Sequence, residues 1–71
     1  MHIGKRIKQV MDEQGRSASW LADNIHCERS NVYYIYRRST IDTELLKKIC
    51  TILNYDFFKE LSEDVFEQKE D

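Results

Sequence analysis

The chain has 71 residues, room for one small domain with a thin core, because at this size only about 60% of the unfolded chain's surface is buried. Hydrophobic residues at 41% and the absence of proline exclude collagen-like and Pro-rich disordered chains, and two cysteines, Cys27 and Cys50, are too few for a disulfide scaffold. The net charge of −2 conceals a split: residues 1–38 carry seven basic side chains against four carboxylates (+3), and residues 39–71 carry four lysines against nine carboxylates (−5). Ile3, Ile7, Val10 and Met11 recur at helical spacing and predict a first amphipathic helix, which Gly15 stops by taking the left-handed cap. Ser17 caps a second helix with Trp20, Leu21, Ala22 and Ile25 as its apolar cluster. After a break near His26, a third helix over roughly 28–37 carries Val32, Ile35 and Tyr36. Asp42 caps a fourth, with Leu45, Leu46, Ile49, Cys50, Ile52 and Leu53 as a broad core stripe ending at Asn54-Tyr55. Asp56 caps a fifth, marked by Phe57, Phe58, Leu61 and Val65. No strand-period segment appears, so the expected fold class is all-α, a bundle of five helices over residues 1–66 with a charged, fraying tail over 67–71.

The most informative constellation is the helix pair around His26. Leu21, Ala22, Ile25, Cys27, Val32 and Ile35 fall where two helices crossing steeply through a short turn need apolar residues. The small Ala22 lets the second helix approach, Ile25 and Cys27 plug the turn, and Val32 and Ile35 seat the third helix. This spacing defines a helix-turn-helix unit over about 18–37.

With the opening Ile3-Gly4-Lys5-Arg6-Ile7, the Leu21-Ala22 pair, the Val32…Ile35 spacing, Leu46-Lys47-Lys48-Ile49-Cys50 and Phe57…Leu61, the chain resembles the XRE/Cro-type helix-turn-helix domains of phage-repressor-like transcriptional regulators. The resemblance implies a lambda-repressor-like five-helix fold whose third helix enters the DNA major groove, usually in a homodimer. The sequence departs from that pattern at four positions. His26 stands at a turn position where the family commonly has Gly, and Glu28 where a Ser or Thr N-cap is usual. Tyr36 replaces a late Glu of the third helix, and Arg38 a following Gly.

Placing Val32 and Ile35 inward turns Ser30, Tyr33, Tyr34 and Arg37 outward, with Arg29 beside them at the exposed start of the helix. Arg29, Ser30, Tyr33 and Tyr34 coincide with the positions at which the resemblance implies base contact, and Asn31, pointing partly sideways, is a further candidate for an adenine edge. Arginine bonds guanine bidentately, serine donates or accepts, and tyrosine touches a thymine methyl or a phosphate. Ser17 at the start of the second helix and Arg37, Arg38 and Ser39 after the third are the phosphate candidates. Lys5, Arg6 and Lys8 read as a solvent face of the first helix. Cys27 and Cys50 read as small buried hydrophobes and Trp20 as core.

His2, His26, Cys27 and Cys50 have no spacing suited to a tetrahedral metal site, and there is no phosphate loop or nucleophile–base pattern. The expectation is therefore no enzyme, no metal and no cofactor. The partner expected is double-stranded DNA, bound by a cytoplasmic, nucleoid-associated regulator with no leader and no membrane span. Phe58, Val65 and Phe66 form an apolar face that so small a core cannot cover and are the expected homodimer interface. The alternative function is a protein-interaction module on the same fold, an antitoxin or adaptor. It draws on the acidic second half and the tyrosine-rich third helix.

Overall fold

A computed structural model describes residues 1–67, so all of the expected tail except Glu67 lies outside the described residues. Five helices follow in chain order: α1 (Ile3–Glu13), α2 (Ala18–Ile25), α3 (Arg29–Arg37), α4 (Thr43–Leu53) and α5 (Phe57–Phe66). No strand occurs among the described residues.

Every helix but α3 begins where a side chain satisfies one of the first free amide groups. Ser17, Asp42 and Asp56 accept from the N–H of Trp20, Leu45 and Lys59. His2 does the same for α1, its Nδ1 accepting from Lys5 N–H at 3.1 Å, a cap the periodicity did not reveal. Glu28 makes no side-chain capping bond; its backbone carbonyl instead accepts from Asn31 N–H at 2.9 Å.

The helices end on left-handed residues at three junctions. Gly15 has φ +68°, with its N–H on Asp12 O and that of Arg16 on Met11 O, the paired bonds of a Schellman motif. His26 (φ 57°) ends α2 with Cys27 N–H on Ala22 O, and Asn54 (φ 51°) ends α4 with Tyr55 N–H on Cys50 O.

The core is built from one face of every helix. Ile3, Ile7, Val10, Met11, Leu21, Ala22, Val32, Ile35, Leu46, Ile49, Leu53 and Phe57 are all buried. Cys27 and Cys50 are free thiols only half-buried at the edge of this cluster, and burial, reinforced by the Glu28 charge, pushes the Cys27 thiol up. Trp20 is likewise half-buried rather than enclosed, packed against the side of this cluster.

Two contacts across the sequence fix how the helices meet. The segment after α3 folds back on the start of α1, where Gly4 N–H bonds Arg38 O at 2.9 Å. A Cβ at Gly4 would lie 2.6 Å from Arg38 O and closer still to the carbonyls of Ile35 and Tyr36, so only glycine lets α1 and α3 approach this closely.

The second contact corrects an expectation. Arg6 does not belong to a solvent face: its Nε and Nη2 donate to the two carboxylate oxygens of Glu60 on α5 at 2.8 Å each, and Nη2 also donates to Tyr55 Oη at 2.7 Å. Tyr55 Oη in turn donates to Glu60. The bidentate pair holds the Glu60 carboxyl below the usual carboxylate range and keeps Arg6 fully charged. Lys8, by contrast, makes the exposed i,i+4 pair with Asp12.

Candidate nucleic-acid interface

The sequence-predicted contact residues lie on α3, on the connection that follows it and at the N-cap of α2. Burying Val32 and Ile35 leaves Arg29, Ser30, Asn31, Tyr33, Tyr34 and Arg37 exposed along α3, with Tyr33 and Tyr34 among the most exposed large side chains of the chain. Ser30, Tyr33, Tyr34 and Arg37 form the row opposite the core, with Arg29 and Asn31 on its two flanks. Tyr36 turns toward the core, where burial pushes its phenol up and keeps it neutral.

Aromatic rings and guanidinium groups are interleaved on this surface. Tyr33 meets Tyr36 edge to face at 6.0 Å, and the guanidinium groups of Arg37 and Arg38 lie 6.0 and 5.8 Å from the centre of the Tyr34 ring. Arg37, Arg38 and Ser39 are thus brought to the C-terminal end of the Tyr34 row. The backbone of Arg38 and Ser39 has a second duty: their carbonyls accept from Gly4 and Ile3 at the start of α1. Ser17 is exposed, and its hydroxyl oxygen is already the cap acceptor of Trp20 N–H, so what it leaves for an anion is its O–H.

The electrostatics favour an anionic ligand. Among the described residues the ion pairs use Arg6, Lys8, Lys47 and the terminal amine, and none uses Arg16, Arg29, Arg37 or Arg38. These four unpaired arginines all lie in or beside the α2–α3 unit. Four carboxylates of the second half, Glu60, Glu63, Asp64 and Glu67, border a cleft at α5 with Met1 and Arg6.

The pattern of the Cro/C1-type HTH DNA-binding domain matches residues 6–67. The chain belongs to that family. It is therefore a helix-turn-helix domain of the DNA-binding kind. No curated protein and no solved structure matches the chain.

Other chemistry has little to build on. No group of three or more His, Cys, Asp or Glu side chains suited to a metal occurs among the described residues, and no helix there is long and apolar enough to cross a membrane. Arg16 was missed by the sequence reading. It precedes the α2 cap, and its guanidinium lies 4.4 Å from the centre of the Trp20 ring. The signal was available as an Arg and a Trp four residues apart, but they straddle a helix start, where i,i+4 spacing does not by itself imply contact.

Proposed function

We propose that the domain is a sequence-specific transcriptional regulator that lays α3 in the major groove of an operator and acts as a homodimer at the nucleoid. The observation that carries this reading is the exposed α3 row, Ser30, Tyr33, Tyr34 and Arg37 flanked by Arg29 and Asn31, on a helix-turn-helix whose arginines have no carboxylate partners. Arg29 reads a guanine, Ser30, Asn31, Tyr33 and Tyr34 supply further base-edge and methyl contacts, and Ser17, Arg37, Arg38 and Ser39 hold the phosphates.

The dimer contact in this reading is the outer face of α5. Phe58, Val65 and Phe66 are exposed there, at 38%, 52% and 65%. The occupant is a second copy of the chain. Ser62 lies between Phe58 and Phe66 on the same face, so two α5 helices running antiparallel approach closely at Ser62 and set Phe58 against Phe66 of the other copy. Lys59 and Glu63, which make no ion pair among the described residues, then flank this seam. A two-fold dimer presents its recognition helices about 34 Å apart, one turn of DNA.

Selection of random duplexes by the purified chain tests the reading. Enrichment of a palindromic motif whose half-sites are one helical turn apart is the expected result. Failure to enrich any motif, with the protein captured tightly by another protein instead, overturns it in favour of an interaction module.

A further inference from the structure

Arg16 and Trp20 form a unit that the α3 contacts leave unused. Their backbones are pinned at the α1–α2 junction: Arg16 N–H bonds Met11 O at 2.9 Å, and Trp20 N–H bonds the capping Ser17 Oγ at 3.1 Å. The guanidinium carbon lies over the indole ring, 4.4 Å from its centroid, the shortest such contact among the described residues, and the group takes no carboxylate partner there. A ring that occupies the face of a guanidinium leaves its N–H groups pointing outward in the plane, toward whatever anion approaches the edge. The ring also restricts a side chain that would otherwise sample many rotamers, so less entropy is lost when the anion binds.

We propose that Arg16 is a backbone-phosphate ligand of duplex DNA and that Trp20 is the residue that positions it. The proposal rests on the DNA reading above and extends it to the helix-turn-helix's first helix, which crosses the phosphate backbone when the second lies in the groove. Arg16 contributes charge and bidentate geometry but no base preference. The half-buried Trp20 suits this role: it packs against the core cluster while its ring carries the Arg16 guanidinium.

The test is a salt titration of binding to a mixed-sequence 24-base-pair duplex, about two helical turns, followed by fluorescence anisotropy. Four proteins are compared: the parent chain, Arg16→Ala, Trp20→Leu and the double variant. Arg16→Ala is expected to weaken binding about three- to tenfold and to reduce the slope of log K against log salt by about 0.9, one phosphate's worth of counterions. Trp20→Leu is expected to weaken binding about two- to threefold with the slope retained, and to have no further effect once Arg16 is alanine. Trp20→Phe, which keeps a ring and a core contact, should recover most of the parent's affinity. An unchanged slope in Arg16→Ala, while the parent binds, overturns the phosphate role alone. An equal effect of Trp20→Leu with and without Arg16 overturns the positioning role. A parent chain that binds no duplex overturns the DNA reading and this proposal together.

Discussion

Left-handed backbone at His26 carries a steric cost at Cβ of roughly 1–2 kcal/mol that glycine does not have. His26→Gly is therefore expected to leave the fold intact and to raise stability by less than about 1 kcal/mol, because the greater freedom of glycine in the unfolded chain offsets part of the relief. A thermal melt measures it, and a marked loss of stability would show that the imidazole makes a bond of consequence. Gly4 works in the opposite sense. In an ordinary helix interior, Gly→Ala stabilises by about 0.5–1 kcal/mol. Here the new methyl meets three carbonyl oxygens that cannot move without unseating the end of α3. Gly4→Ala is expected to destabilise by about 1–3 kcal/mol in urea unfolding. On the binding surface the arginines separate by role. Arg29→Ala should cost about 1–3 kcal/mol against a selected operator and relax preference at one base pair. Arg37→Ala and Arg38→Ala should weaken binding to every sequence and flatten its salt dependence, as filter binding at several salt concentrations would show.

α5 is held to the bundle by two unlike ends. Phe57 is fully buried and packs at 4.8 Å against Tyr55, while Glu60 reaches back to Arg6 and Asp64 pairs with the terminal amine at 3.0 Å. The Arg6–Glu60–Tyr55 cluster makes this attachment pH-dependent in both directions. Glu60 titrates in the folded chain below its ordinary value, so its contribution is complete above about pH 4.3 and is lost as the pH falls through the folded value. Tyr55 is shifted up, first by its hydrogen bond to Glu60, so its contribution persists up to about pH 10 and is lost as the pH rises through the raised value. Glu60→Gln should lower stability near neutral pH by about 1–2 kcal/mol. It should also make the variant's melting temperature fall less than the parent's on acidification below about pH 5. Melting curves across that range that stay parallel for the two proteins would show that Glu60 is not the titrating group.

The described residues span 42 × 20 × 20 Å. The unpaired arginines lie in or beside the α2–α3 unit, while Glu60, Glu63, Asp64 and Glu67 gather at α5, so α5 meets a second, equally charged copy only if the contact itself is apolar. Phe58 is less free than sequence periodicity implies, because it shares a groove with Ile3, Ile41, Leu46 and Leu61. Val65 and Phe66 are therefore the cleaner probes of association. Sedimentation of the parent chain should show a dimer at micromolar concentration, and Val65→Glu or Phe66→Glu should leave a folded monomer with weaker operator binding. A parent that remains monomeric at high micromolar concentration would remove α5 as the dimer contact.

Five helices and most of their ends were legible in the sequence because those signals act over three or four residues. The stripe Ile3, Ile7, Val10, Met11, the caps Ser17, Asp42 and Asp56, and the stop at Gly15 each depend on the neighbouring turn of helix and little else. The exposed row on α3 was legible for the same reason: once Val32 and Ile35 are inward, a period of 3.6 residues leaves Ser30, Tyr33, Tyr34 and Arg37 no other place. Periodicity could not assign Arg6, whose partners Tyr55 and Glu60 come 49 and 54 residues later, nor the need for glycine at position 4, set by carbonyls at the far end of α3. Nor could it show that Arg16 lies over Trp20, because that contact depends on the angle at which the chain leaves α1. Helical geometry decides which residues share a face, and that much is written locally in the chain; which faces meet, and which charge finds a partner, depends on packing between segments far apart in sequence.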